Sequence, residues 1–132
     1  MNIKLAAGLK KQIEKTVVAE YTATHVGSGD VAVLATPAMI AFMEQAAMEA
    51  VQPQLPSGYT TVGVHVDVRH IAPTPLGMKV TFHVELVHVE GRVLTFRVLA
   101  EDEREKVGEG AHQRAIIDIS RFQERVRAKI SG

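Results

Sequence analysis

Two hydrophobic periods follow one another in this chain, and few folds accommodate both in that order. From Pro37 to Val51 the apolar residues Ala38, Ile40, Ala41, Ala47, Met48 and Val51 recur at helical spacing, with Thr36 as N-cap and Pro37 at the first helical position. From residue 60 onward the period is two. Val62, Val64, Val66 and Val68 share one face of a strand, and Thr61, Gly63, His65, Asp67 and Arg69 share the other. "KVTFHVELVHVE" places Val80, Phe82, Val84 and Leu86 on one face, then changes phase at Val87 and Val89, which predicts a β-bulge near Leu86. A hairpin turn at "EGR" and a charged turn at 101–106 set off two more strands, "VLTFRVLAE" and "KVGEGAHQRAIIDI". With a first strand at 15–23, "KTVVAEYTA", there are five strands and one early helix. Short turns join the last four strands, so the fold class is α+β, an antiparallel five-stranded sheet wrapped around a central long helix.

The 132 residues make one domain, with a core over about 15–120. In the tail, Phe122, Val126 and Ile130 at four-residue spacing predict a short surface or interface helix over about 120–130. Lys plus Arg and Asp plus Glu balance at 15 each, which leaves no net field for nucleic acid or an anionic membrane. The absence of cysteine removes disulfides and thiolate chemistry and fits a reducing cytoplasm. No apolar run approaches the roughly 20 residues of a membrane span, and basic residues follow the first apolar patch rather than precede it. The expectation is a soluble, unprocessed cytoplasmic protein.

One acid disturbs the helix. Gln45, Glu49 and Gln52 form its polar stripe, but Glu44 lies outside it, one turn from Ile40, Ala41, Ala47 and Met48. A carboxylate there needs a partner or must reach out to water. Strand parity puts His70 on the face of the four valines, toward the helix, and His65 on the opposite face. If Glu44 and His70 converge, they form a general acid/base arrangement; the alternative is a packing pair. Thr36 stands about 12 Å of helical rise from Glu44, at a terminus whose amides suit a developing oxyanion. His112 and Arg114 share a strand face, with Arg114 an ion-pair donor or a contact for an anionic substrate group. Gly108 and Gly110 read as strand accommodation rather than a nucleotide loop. Six histidines show no metal-ligand spacing, so no metal site is expected.

The segments "LATPAMIAFMEQAA", "TTVGVHVDVRHIAPTPLG", "VEGRVLTFRVLAED" and "GEGAHQRAII" resemble the hotdog-fold thioesterases, most closely the fluoroacetyl-CoA thioesterase-like branch, over roughly residues 15–125. The resemblance implies a catalytic group of Thr36, Glu44 and His70, with Gly63 and Arg114 at the substrate site. It also implies an acyl-CoA substrate, no cofactor besides the coenzyme A carried by that substrate, and a homodimer or dimer of dimers. The implied reaction is hydrolysis of a small or medium acyl-CoA to carboxylate and free coenzyme A. A hotdog hydratase or dehydratase and a non-catalytic acyl-CoA-binding module are the alternatives. One departure concerns specificity: "THVGSGDVAVLA", residues 24–35, has no aromatic residue, whereas the fluoroacetyl-specific enzyme carries a longer, phenylalanine-bearing lid. That points away from fluoroacetyl-CoA as substrate.

Overall fold

The computed structural model describes residues 3–131. Strands β1 (Lys10–Thr16), β2 (Tyr59–His70), β3 (Lys79–Glu90), β4 (Val93–Asp102) and β5 (Lys106–Asp118) form one sheet in the order β1-β3-β4-β5-β2. Every pairing is antiparallel. A short helix α1 (Ala23–Val26) precedes the long helix α2 (Thr36–Val51), and α3 (Ile119–Ser131) follows β5. Helix α2 lies across the sheet and packs against β1, β2, β3 and β4. This is the five-stranded sheet around one long helix expected from the two periods, and the hotdog arrangement that the resemblance implies. Among the described residues no helix is long and apolar enough to cross a membrane.

The core forms where α2 meets the sheet. Met39, Phe42, Met43, Ala46, Ala47, Ala50 and Val51 are buried on the helix, against Val80, Phe82, Leu86, Leu94, Phe96 and Val98 on the strands. This face is rotated from the expected one: Ala41 is exposed and Ile40 and Met48 are half-buried. A helix apolar nearly all round carries little information about which side is inward, and the sheet decides. The polar stripe is as expected, with Gln45 donating to Glu49 at 2.8 Å and Gln52 to the Tyr59 carbonyl at 3.0 Å.

The expected bulge in β3 falls between Leu86 and His88. The first strand is displaced from its expected position. Residues 10–16 pair with β3, whereas 17–26 form a 3₁₀ turn, a tight corner and α1. As an edge strand β1 packs only Ile13 on the core and is otherwise written in charged and polar residues, so it lacks the apolar signature of a strand. Val17 and Tyr21, which carried the β-propensity, pack on the core from irregular backbone. A second bulge, unanticipated, lies in β2 between Gly63 and His65. It turns Val64 outward, 55% exposed, so Thr61 and Gly63 face the helix before it, and Val66, Val68 and His70 after it. Val62 and Val64 therefore do not share the inward face of Val66 and Val68.

The glycines of β5 permit close approach. A Cβ on Gly108 would stand 2.5 Å from Met39 Sδ, and one on Gly110, at φ +156°, would collide with the backbone of Asp67 and Val68. Because that obstacle is main chain, Gly110→Ala should cost about 1–3 kcal/mol, read as a lower midpoint in chemical denaturation. A parental midpoint would show that β2 and β5 can separate without cost.

Candidate active site

Two groups of polar side chains stand between α2 and the β5–β2 end of the sheet. The first is at the start of α2. Ala35, with extended backbone (φ -72°, ψ 142°), is the N-cap, so Thr36 is the first helical residue rather than the cap. Thr36 Oγ1 lies 2.7 Å from Nδ1 of His70, the last residue of β2. Burial lowers the proton affinity of His70 below its ordinary value, and the nearby Ala72 backbone offsets part of that, so the ring is neutral near pH 7. Its Nε2 is buried and lacks a hydrogen-bond partner among the described residues. A depression of about 310 Å³ opens beside the pair, walled in part by Ala23, Ser28, Val33 and Pro73.

The second group centres on Glu44, whose side chain is 39% exposed. Its Oε2 lies 3.8 Å from Arg114 Nη1 and 3.9 Å from His112 Nε2, and among the described residues it accepts no hydrogen bond. Gly63 makes the space: a Cβ there would collide with Oε2. Arg114 is buried and its Nε donates to Thr61 Oγ1 at 2.7 Å, its Nη2 to the Thr61 carbonyl at 3.0 Å and its Nη1 to His112 Nε2 at 3.1 Å. Burial lowers the proton affinity of Arg114 and the Glu44 charge restores part of it; a guanidinium stays cationic under such shifts. His112 is lowered too, first by burial, and is neutral, so its approach to Glu44 is not an ion pair.

Gly63 and Arg114 thus meet Glu44, and Thr36 meets His70, but Glu44 and His70 are not paired within the chain. The register explains the separation. Glu44 lies over Gly63, which pairs with Arg114, whereas His70 pairs with Gly108. Gly63 and His70 stand seven positions apart on β2, roughly 20 Å of strand. The parity that turned His70 inward holds because the bulge precedes Val66. Among the described residues no three His, Cys, Asp or Glu side chains converge as for a metal ion. Sequence reasoning gave His112 no role, although it is 1% exposed and touches both Arg114 and the Glu44 neighbourhood. The available signal was its place two residues before Arg114 on one strand face.

The profile of a family described as fluoroacetyl-CoA-specific thioesterase matches residues 17–120. The fluoroacetyl-CoA thioesterase of Streptantibioticus cattleyicolor is 42% identical over 97 residues, 74% of this chain and 70% of that protein. The solved fluoroacetyl-CoA thioesterase FlK superposes with a TM-score of 0.91 at 34% identity, covering 96% of this chain and 98% of that one. A hot-dog-like protein from Thermanaerovibrio acidaminovorans gives 0.88 at 29% identity, covering 96% and 93%. With the family profile spanning most of the core and the Thr36, Glu44 and His70 positions within it, this chain belongs to the fluoroacetyl-CoA-specific thioesterase family.

Proposed function

We propose that this protein, an acyl-CoA thioester hydrolase by family, cleaves small or medium acyl-CoA thioesters at a site completed by two copies of the chain. The observation that carries this reading is Glu44, a carboxylate held beside a buried cation yet accepting no hydrogen bond among the described residues. Such a group is free to take the proton of an attacking water, or to attack the carbonyl and be released by water. The N-terminus of α2 offers amides and a partial positive charge to the carbonyl oxygen as it becomes negative. Because His70 Nε2 is buried, proton exchange between this ring and the departing thiolate runs through Nδ1 and Thr36 Oγ1. Water adds to the carbonyl carbon, the C–S bond breaks, and carboxylate and free thiol leave.

A thioester carbon cannot touch both groups of one protomer, given their separation along α2 and β2. The β2 edge suggests the solution. It is twelve residues long, has no strand on its outer side among the described residues, and leaves Val64 on the outward face and Val66 on the helix-facing side both partly in solvent, a combination that favours pairing with another strand. An edge-to-edge homodimer lets Glu44 of one protomer serve the Thr36–His70 pair of its partner. The small side chains of Ala23, Ser28 and Ala72 around the depression leave room for acyl groups larger than acetyl, and the cysteine-free, charge-balanced chain suits the cytoplasm.

In a free-thiol assay over short, long and aromatic acyl-CoA substrates, Glu44→Gln and His70→Asn should each reduce turnover on the order of 100-fold or more. Parental rates in Glu44→Gln would remove the carboxylate from the mechanism. Stability should also depend on pH. His70 and His112 bind protons less readily folded than unfolded, so stability is full above the unfolded value of 6.5 and declines as pH falls through their lowered folded values. Thermal midpoints should stay level down to that point and then drop; a flat profile on acidification would contradict the neutral, buried state of both rings.

A further inference from the structure

His112 is buried under α2 at a position the hydrolytic reaction does not itself require. Its ring stacks on Phe96, with centroids 6.3 Å apart and planes at 27°. Nδ1 lies 2.8 Å from the His65 carbonyl, and since a carbonyl only accepts, Nδ1 carries the ring proton. Nε2 in the neutral ring is then a lone-pair acceptor, and it receives Arg114 Nη1 at 3.1 Å. The tautomer is thus decided by the two partners, and burial disfavours a second proton. The charged or titratable groups around the ring are Arg114 on its own strand, Glu44 on α2 and His65 on β2.

Arg114 is held at all three nitrogens. Nε and Nη2 each donate to Thr61, and Nη1, which has two N–H bonds, directs one to His112 Nε2 at 3.1 Å; these three bonds fix the guanidinium where Nη1 stands 3.8 Å from Glu44 Oε2, beyond hydrogen-bonding distance. Gly63 leaves the carboxylate free to come closer, because no Cβ stands between. The difference between the two distances separates a hydrogen bond from a through-space charge contact. A charge-assisted guanidinium–carboxylate bond would pin the carboxylate and lower its basicity, and so its readiness to take a proton or attack.

We infer that His112 is a positioning residue, whose Nε2 lone pair holds the Arg114 guanidinium back from Glu44 so that the carboxylate is charge-stabilised but free to react. This rests on the reading that Glu44 is the reacting acid. It implies that Arg114 sets the charge of the site without occupying it, and that the HxR spacing of β5 is a unit: the first residue restrains the second.

The two amide replacements of histidine separate this role from simple packing. His112→Asn keeps a donor near Nδ1 for the His65 carbonyl but loses the acceptor at Nε2; His112→Gln places an amide oxygen where Nε2 stands. With the parent's preferred acyl-CoA, His112→Asn should lower kcat on the order of 100-fold with little change in KM, and His112→Gln should recover most of that loss. Equal kcat in the two variants, or a parental kcat in His112→Asn, would overturn the inference. Nitrogen-15 NMR of the histidine rings in the folded parent provides a check independent of variant folding: Nε2 of His112 should be unprotonated at neutral pH, and a protonated Nε2 would overturn the inference. Glu44→Gln run alongside distinguishes the two layers. Parental turnover there removes the reactive acid and this inference with it, whereas loss there with parental rates in His112→Asn removes this inference alone.

Discussion

The close contact between α2 and the sheet is the constraint from which the other features follow. Ala46, Ala47 and Ala50 on the helix and Gly63 and Gly108 on the strands keep side-chain bulk out of the contact, and Met39 presses to where a Cβ of Gly108 would be. At that separation a glutamate on the flank of the helix cannot extend over the sheet unless the sheet residue beneath it has no side chain. Gly63 meets that requirement, and the Glu44 carboxylate comes to rest beside Arg114 and His112 while keeping part of its surface in solvent. Packing and chemistry are therefore one problem here: the small residues that let the helix settle also make the polar site.

The electrostatics follow from burial in the same interface. Arg114 is desolvated, and its nitrogens are satisfied by Thr61 and His112, which fixes a cation under the helix without closing it onto the acid. Both inward histidines lose proton affinity as they lose water, so each enters the neutral state, one paired with Thr36 and the other with Arg114. A neutral imidazole can exchange protons; an imidazolium trapped beside Arg114 would repel it. The two polar groups sit too far apart along α2 and β2 for one substrate carbon, and in the proposed dimer the long open edge of β2 is where a second protomer would bring them together.

Much of the architecture was legible from the order of the two periods, because an apolar helix followed by four turn-linked strands has few ways to bury both faces. The bulge in β3 was readable because a run of alternating valines, leucine and phenylalanine changed phase within one strand. The bulge in β2 was not, since it falls at Gly63–Val64–His65, where valine recurs on every even position and no phase change appears in the letters. The inward orientation of His70 was still right, as the parity from Val66 onward is undisturbed. The first strand was misplaced because an edge strand of lysine and glutamate carries no hydrophobic period. Glu44 could be singled out by its departure from the polar stripe of α2, but its neighbours could not: whether it met His70 or His112 depended on strand register, which a single sequence does not encode locally.

The central claim, that Glu44 of one protomer serves the Thr36–His70 pair of the other, has a direct test in subunit mixing. Glu44→Gln and His70→Asn proteins, each nearly inactive alone, are dissociated together in equal amounts and allowed to reassociate. If the site is shared, half of the dimers are mixed and each holds one intact site, so thiol release should return to about one quarter of the parental rate. If each site is built within one chain, every site in the mixture keeps a defect, and the rate stays at that of the separate variants.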